Sequence, residues 1–135
     1  MKASVALSIT CVLLLSAGAS AHHSFDATYD LNREVTIEGR VVQALIRNPH
    51  SFLHLEASDQ NGEVQKWAFE WRGSGGLAKA GITRGTLKPG DEVVVTFNPP
   101  FKKYERRGVL TALQRTSDGL QWAEKKRRIK KRSES

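Results

Sequence analysis

The segment that decides the fold is residues 51–71, with the sequence SFLHLEASDQNGEVQKWAFEW. Its two β-rich halves flank the turn sequence DQNG at 59–62, so the segment predicts a β-hairpin. A two-residue turn would set Leu53 opposite Glu70, whereas a three-residue loop with a left-handed glycine sets Leu53 opposite Phe69. Cross-strand pairs of matching character contribute about 0.2–1 kcal/mol each, so we predict the three-residue loop.

This register divides the side chains of the hairpin between two faces, because successive residues of a strand point to opposite sides of a sheet. The face predicted to form the core carries the apolar side chains Leu53, Leu55, Trp67 and Phe69. The face predicted to point outward carries Phe52, His54, Glu56, Lys66, Ala68 and Glu70.

The segments around the hairpin complete the pattern of a small β-barrel. Residues 34–46 form a long β-rich segment whose apolar parity changes after Val41, which predicts a β-bulge there. A glycine-rich loop leads into a predicted short helix over 77–80, and strands are predicted over 92–97 and 108–116. This order predicts a mainly β fold, a five-stranded OB-like barrel with one short helix between strands 3 and 4, with a small open sandwich as the alternative.

Residues 1–21 carry the pattern of a secretory signal peptide. Lys2 precedes an apolar run at 5–15, and small residues with the sequence ASA end at Ala21, as signal peptidase requires. The apolar run is shorter than the roughly 20 residues that span a bilayer, so a membrane anchor is the weaker alternative. Cleavage after Ala21 would remove Cys11, the only cysteine, and make His22 the amino terminus. We therefore expect a secreted, periplasmic protein.

Three regions are expected after the leader: an N-terminal arm at 22–33, the barrel at 34–123 and a basic disordered tail at 124–135. The tail has seven basic and two acidic residues, whereas residues 22–123 have 13 basic and 12 acidic residues. The isoelectric point near 9.9 is therefore a property of the tail, and charge blocks of this kind are attracted to anionic surfaces. The residues predicted to make that contact are Lys125, Lys126, Arg127, Arg128, Lys130, Lys131 and Arg132.

The sequence favours a binding or accessory protein over an enzyme. The chain without its leader has no cysteine, and it has no Gly-x-Ser-x-Gly nucleophile motif. The glycine-rich loop at 73–76 lacks the Gly-Lys-Ser/Thr ending of a phosphate-binding loop. No aromatic residue follows Trp122 among the basic residues of the tail, so we expect no specific nucleic-acid partner. We expect a monomer that binds an unidentified small ligand or protein.

The outward face of the hairpin is the predicted ligand-binding surface. OB barrels bind their ligands across strands 2 and 3. Trp67 and Phe69 alternate with outward residues and are expected in the core, so they do not contact a ligand. We therefore predict that Phe52, His54 and Glu70 contact the ligand.

A copper or zinc site at the new amino terminus is the alternative function. His22 would offer its α-amine and one ring nitrogen, and a second imidazole would complete a three-nitrogen set that suits copper or zinc. The histidines that could supply it are His23, His50 and His54. Four residues of extended chain separate the last two by about 13 Å, so only one of them is expected to join His22.

Six motifs give the chain a resemblance to a family of small secreted bacterial proteins that is known only as a domain of unknown function. The chain departs from the family pattern at Gly75, Gly76 and Ile82. The resemblance implies secretion and a small β-barrel, and it implies no activity. The motifs are Ala-His-His-Ser-Phe at 21–25, Val-Thr-Ile-Glu-Gly at 35–39, Asn-Pro-His at 48–50, Trp-x-Phe-Glu at 67–70, Gly-Ser with a following Leu at 73, 74 and 77, and Leu-Lys-Pro-Gly-Asp at 87–91.

Overall fold

The structure is a computed structural model that describes residues 25–125. The predicted signal peptide, the histidines at 22 and 23 and most of the basic tail lie outside the described residues. Two short helices are described, α1 (Phe25–Thr28) and α2 (Ser74–Ala78). The strands are β1 (Val35–Leu45), β2 (Ser51–Ser58), β3 (Val64–Trp71), β4 (Glu92–Asn98), β5 (Arg107–Arg115) and β6 (Gln121–Ala123).

Five of the strands close into a barrel. The sheet has the order β3-β2-β1-β4-β5-β6, and a parallel pairing from Ala68↔Arg107 to Glu70↔Val109 joins β3 to β5. The closed order 1-2-3-5-4, with α2 between β3 and β4, is the architecture of the OB barrel. The predicted OB-like barrel is therefore confirmed. In residues 25–125, no helix has the length and apolar character needed to cross a membrane.

A sixth, short strand lies beside the five-stranded barrel. β6 pairs with β5 in an antiparallel hairpin, with Leu113 opposite Trp122. The turn before it contains Gly119, whose φ of +73° lies in the left-handed region that favours glycine. The short strand that follows was not predicted, because three residues with a single buried side chain give little periodic signal.

The central hairpin has the predicted register. Leu53 pairs with Phe69 and Leu55 pairs with Trp67 across β2 and β3. The loop is closed by a hydrogen bond of 3.0 Å from the Gly62 amide to the Asp59 carbonyl, and Gly62 has a φ of +79°. The three-residue loop is therefore confirmed, and it gives the hairpin one apolar and one outward face.

The bulge in β1 is also confirmed. The pairing of β1 with β2 shifts between Val41 and Gln43, so one residue is inserted where the apolar parity changes. Gly39 lies near this point, against the backbone of β2. A Cβ atom on Gly39 would lie 2.8 Å from the Glu56 carbonyl oxygen, so a larger residue could not approach β2 as closely.

The helix α2 begins earlier than predicted. It spans Ser74–Ala78 rather than 77–80, because Leu77 is fully buried and holds the glycine-rich segment against the core. Glycine has low helix propensity, which is why the first turn was predicted as a loop. Gly81 follows the helix with a φ of +79°, and the Ile82 amide donates to the Leu77 carbonyl at 3.0 Å.

An aromatic cluster fills one part of the core. The Phe69 and Phe97 ring centroids are 4.7 Å apart, and the Trp67 ring lies 6.0 Å from Phe69 and 5.6 Å from Phe97. Trp71 packs edge-on against Trp122. Phe69 and Trp71 are buried and Trp67 is partly buried against the same cluster. The prediction that the alternating aromatic residues of β3 belong to the core is confirmed.

Residues on both sides of the predicted barrel, 34–123, contact it. The arm packs on the barrel, where the Asp30 amide donates to the Pro99 carbonyl at 2.9 Å. At the other end, Glu124 was predicted in the disordered tail. Its carboxylate instead accepts hydrogen bonds from the Arg72 guanidinium, and its amide donates to the Thr111 carbonyl. Glu124 therefore belongs to the barrel.

Candidate functional site

The N-terminal arm crosses the outside of the barrel between two loops. Its Tyr29 forms an antiparallel bridge with Pro100, in the loop between β4 and β5. Four residues earlier, the Phe25 ring stacks on the His50 imidazole, in the loop between β1 and β2, with ring centroids 5.4 Å apart. The arm thereby connects the two loops that, together with strands 2 and 3, bind ligands in OB barrels.

Glu70 on β3 is the point where the arm meets the outward face of the sheet. Its Oε2 accepts a hydrogen bond of 2.9 Å from the Tyr29 hydroxyl, and its Oε1 lies 3.8 Å from Nδ1 of His50. Tyr29 is 3% exposed, and burial together with the Glu70 carboxylate raises the pKa of Tyr29 to about 12. The phenol is therefore a stable proton donor to Glu70 at neutral pH. We call Phe25, Tyr29, His50 and Glu70 the arm corner.

Arg107 borders the arm corner from β5. Its guanidinium carbon lies 5.6 Å from the centroid of the Tyr29 ring, within the range of a cation–π contact. Its Nε donates to Glu105 at 2.6 Å, and this hydrogen bond raises the pKa of Arg107 above its ordinary value. The cation therefore stays fixed beside the phenol while Glu105 balances its charge.

The loop that carries His50 is held in place by backbone contacts. The Asn48-Pro49 peptide bond is cis, and the Ser74 amide donates to the Arg47 carbonyl at 3.0 Å. A Cβ atom on Gly73 would lie 2.7 Å from both Asn48 Oδ1 and the Pro49 carbonyl oxygen. Only glycine therefore lets the start of α2 approach this loop so closely, and the position of His50 depends on that approach.

Four motifs that are far apart in the sequence converge at this corner. Phe25 ends the Ala-His-His-Ser-Phe motif and contacts His50, the last residue of Asn-Pro-His. Glu70 ends Trp-x-Phe-Glu and lies beside His50, and Gly73 of the Gly-Ser motif packs on Pro49. Four of the six motifs that carry the family resemblance thus meet in one structural unit.

Comparison with known families agrees with that resemblance. The profile of a family of unknown function, DUF6152, matches residues 10–111. The chain belongs to the DUF6152 family. The expectation that the chain is a member of a family known only as a domain of unknown function is thereby confirmed, and a search of curated proteins found no match.

One solved structure similar to this DUF6152 protein is the mitochondrial single-stranded DNA-binding protein Rim1 of S. cerevisiae. The two chains are 10% identical, and the similarity covers 64% of the DUF6152 chain and 96% of Rim1, with a TM-score of 0.47. The assignment of the OB architecture follows from the strand order and the β3–β5 pairing of the DUF6152 chain itself.

The three predicted ligand-binding residues share one sheet face. Phe52 pairs with Glu70, and His54 pairs with Ala68 in the next outward position. Two of these three side chains, Phe52 and Glu70, are already in contact with other residues of the protein. The Arg47 guanidinium carbon lies 5.1 Å from the centroid of the Phe52 ring, and Glu70 is engaged by the arm. His54 is the one of the three predicted residues for which the structure describes no side-chain partner.

The predicted metal-binding histidines fall into two groups. His22 and His23 lie outside the described residues. His50 lies in the loop before β2, which begins at Ser51, and its ring packs against Phe25, whereas His54 lies within β2. Within residues 25–125, no group of three or more His, Cys, Asp or Glu side chains is arranged to hold a metal ion.

Sequence reasoning missed Tyr29, Phe25 and Arg107 as residues of the site. Tyr29 and Glu70 are 41 positions apart, and no local periodicity connects an arm to a strand so distant. The available signal was the aromatic content of the arm, since a tyrosine and a phenylalanine four residues apart are unusual in a segment that is fully solvated.

A groove of about 690 Å³ lies elsewhere on the barrel, between the turn after the arm and strands β4 to β6. The buried Thr111 hydroxyl, which has no hydrogen-bond partner among residues 25–125, lines this groove with Asn98 and Glu124. The groove contains none of the predicted ligand-binding residues. It is therefore a separate concavity from the arm corner.

Proposed function

We propose that this DUF6152 protein is an exported, non-enzymatic binding or accessory protein of the periplasm. Export is supported by the signal-peptide pattern of residues 1–21. Binding is supported by the outward face of β2 and β3, where Phe52 and Glu70 are paired and His54 follows in the next outward position. The observation that carries the proposal is that the arm and the β1–β2 loop frame this face at the surface where OB barrels bind ligands.

The electrostatics of the arm corner favour binding over catalysis. A general acid or base works best with a pKa near the working pH, and the pKa of Tyr29 is raised to about 12. Glu70 accepts the Tyr29 proton in a hydrogen bond, which commits one carboxylate oxygen to a structural contact. A hydrogen bond of this kind orients Glu70 for recognition of a ligand beside Phe52.

Native mass spectrometry of protein recovered from its own compartment tests this proposal. We expect a bound small molecule or partner that is lost in His54→Ala and Phe52→Ala. Thr96→Ala is the matched control, because Thr96 contacts Thr36 at the β1–β4 pairing, and it should retain the bound species. Equal retention in all three variants would contradict binding at this face, and turnover abolished by His54→Ala would contradict a non-enzymatic role.

The second candidate function is copper or zinc binding through His22. The observation that favours it is the stack of Phe25 on His50 at 5.4 Å. Three residues span at most about 10 Å, so a chain that begins at His22 can reach the His50 imidazole. The amine and ring nitrogen of His22, with one ring nitrogen of His50, would supply the three nitrogen donors suited to copper or zinc. A carboxylate lies next to this histidine, because Glu70 Oε1 is 3.8 Å from His50 Nδ1.

Titration of the processed protein with Cu(II) and with Zn(II) tests the second candidate. We expect His50→Ala to weaken binding by at least about 10–100-fold, the cost typical of disturbing a metal site. An added alanine before His22 should have a similar effect, since it removes the α-amine from the chelate. His54→Ala is the matched control and should leave affinity unchanged. A site lost in His54→Ala but retained in His50→Ala would contradict this geometry.

A further inference from the structure

The loop between β4 and β5 presents large apolar side chains to solvent. Residues 101–107 have the sequence FKKYERR, and we call them the aromatic–basic loop, although its last residue, Arg107, is already the first residue of β5. Phe101 is 58% exposed and Tyr104 is 77% exposed. Neither ring has an aromatic partner among the described contacts, whereas the Phe25, Tyr29, Trp67 and Phe97 rings all do. Such exposure of aromatic rings on a small domain marks an interaction surface.

The start of the loop is joined to the arm, which adds a third apolar side chain. The Phe101 amide donates to the Thr28 carbonyl at 3.2 Å, and the Asn98 side-chain amide donates to the Leu31 and Arg33 carbonyls. Leu31 is 43% exposed. The exposed apolar groups therefore lie on two segments that hydrogen bonds hold together, rather than on a free strand end.

Positive charge surrounds the apolar side chains. The loop has four basic residues and one acidic residue, and Lys102, Lys103 and Arg106 are exposed. The acidic residue, Glu105, is only 20% exposed and is paired with Arg107 and, at 3.9 Å, with Lys102. The charge that the loop presents to a partner is therefore cationic, and an anionic surface is its complement.

We propose that the aromatic–basic loop docks the protein on the surface of an anionic lipid bilayer. Aromatic rings are favoured at the level of the headgroups, because the apolar part of the side chain contacts the lipid while its polar part stays in contact with water. Lysine and arginine side chains next to those rings are attracted to anionic headgroups. Phe101 and Tyr104 enter the interface, and Lys102 and Lys103 contact the headgroups beside them.

Single-stranded nucleic acid is the competing partner, because it also combines negative charge with flat rings. Such binding needs a cationic groove that follows the phosphate chain. The sheet face next to the loop instead carries two carboxylates, Glu56 and Glu70, with Lys66 as the basic residue among its outward positions. A phosphate chain that continued from the loop across this face would meet negative charge. A local contact with a flat anionic surface avoids that face.

Vesicle sedimentation with the full protein at its native amino terminus tests the proposal. The probes are vesicles of phosphatidylcholine alone and vesicles in which about a third of the lipid is phosphatidylglycerol. We expect binding to the anionic vesicles only, with weaker binding at high salt. The Phe101→Ala/Tyr104→Ala variant should bind at least about tenfold more weakly, and Lys102→Gln/Lys103→Gln about 20-fold more weakly at low salt.

Matched variants separate the loop from general effects of charge and apolarity. Val64→Ala removes an apolar side chain that is 66% exposed on β3, and Lys79→Gln/Lys88→Gln removes two exposed charges elsewhere. Both should bind as the parent does. Circular dichroism first checks that each variant is folded. An environment-sensitive dye on Tyr104→Cys should then brighten on anionic vesicles, whereas the same dye on Val64→Cys should not.

Two outcomes would overturn the proposal. The first is undiminished vesicle binding by both loop variants together with complete loss in a chain ending at Lys125, which would assign membrane binding to the basic tail alone. The second is that the parent binds a single-stranded oligonucleotide but not anionic vesicles, with the aromatic variant losing that binding. The loop would then be a nucleic-acid contact.

Discussion

The β2–β3 hairpin and the N-terminal arm contribute to the same outward face, but they are held by different interactions. The hairpin has eight paired residues on each strand, and its inner side chains Leu53, Leu55 and Phe69 are fully buried. The arm is held by one bridge, one ring stack and a small number of separate hydrogen bonds, among them Tyr29–Glu70 and those that join residues 28–33 to Asn98, Pro99 and Phe101. The hairpin therefore belongs to the cooperative core, whereas the arm can open locally without unfolding the barrel.

This difference assigns structural and functional roles to separate regions. Strands fixed by a continuous core give the face its register and do not move. Under the proposed binding function, an arm held by a few polar and aromatic contacts at the edge of that face would yield to a ligand or add a donor to one. Variants in the two regions should therefore have different effects. Changes in the hairpin should lower the free energy of unfolding of the whole barrel, whereas changes in the arm should detach the arm locally.

The largest effect is expected for Phe69→Ala in the hairpin. Phe69 is fully buried and lies 4.7 Å from Phe97, so its removal leaves a cavity and should lower the free energy of unfolding by about 3–5 kcal/mol. Denaturant unfolding followed by tryptophan fluorescence measures it. Val64→Ala on the same strand is 66% exposed and should change stability by no more than about 0.5 kcal/mol. Equal effects of the two variants would contradict the predicted core face.

Gly73→Ala should have an intermediate effect, at the boundary between the two regions. Its Cβ would lie 2.7 Å from Asn48 Oδ1 and from the Pro49 carbonyl oxygen, so the loop must shift, at a cost of about 1–3 kcal/mol. The same shift should weaken the Phe25–His50 stack, which nuclear Overhauser contacts between the rings would report. Gly75→Ala is the control, because nothing lies within 4 Å of its Cβ, and it should stabilise α2 by about 0.5–1 kcal/mol.

The comparison also explains which parts of the structure could be predicted from the sequence. The register of the hairpin depends on 21 consecutive residues. Only the three-residue loop pairs Leu53 with Phe69 and Leu55 with Trp67, so matching apolar pairs within this segment distinguishes it from the two-residue turn. The bulge after Val41 follows from a change of parity within one strand. The alternation of apolar and polar residues in a strand indicates which of its faces is buried. The barrel and its order of elements could therefore be predicted without knowledge of distant contacts.

The remaining features depend on contacts between distant residues. The start of α2 was predicted too late because the burial of Leu77 outweighs the low helix propensity of Ser-Gly-Gly. Phe52, His54 and Glu70 were predicted on one face because the register fixes them. Tyr29 was missed because its partner is 41 positions away, and the pairing exists only once β3 and β5 close the barrel and bring the β4–β5 loop beside Glu70.

Tyr29→Phe should act on the arm rather than on the core. It removes the hydrogen bond to Glu70, so we expect a loss of about 0.5–1.5 kcal/mol and faster amide exchange in residues 25–30 than in β3. The pKa of Tyr29 is raised from 10.0 to about 12 in the folded protein. Its stabilisation is therefore complete below pH 10 and is lost as pH rises from 10 towards 12, and the variant should lack this alkaline loss. Tyr104→Phe, which alters a tyrosine that is 77% exposed, should still lose stability between pH 10 and 12 as the parent protein does.

Asp118→Asn should have the smallest effect, because it breaks a contact that is local and partly solvated. The Arg115 guanidinium donates to both carboxylate oxygens of Asp118, three residues away, and this lowers the pKa of Asp118 from 3.8 to about 2. Its stabilisation is therefore present above pH 3.8 and is lost as pH falls towards 2. Unfolding midpoints measured across that acid range should fall less steeply in Asp118→Asn, while the alkaline loss assigned to Tyr29 stays unchanged. Tyr29→Phe should show the opposite pattern, with the acid range unaffected, because within residues 25–125 no hydrogen bond or ion pair joins Asp118 to Tyr29 or Glu70. A variant that changed both ranges would show that the arm is part of the cooperative barrel.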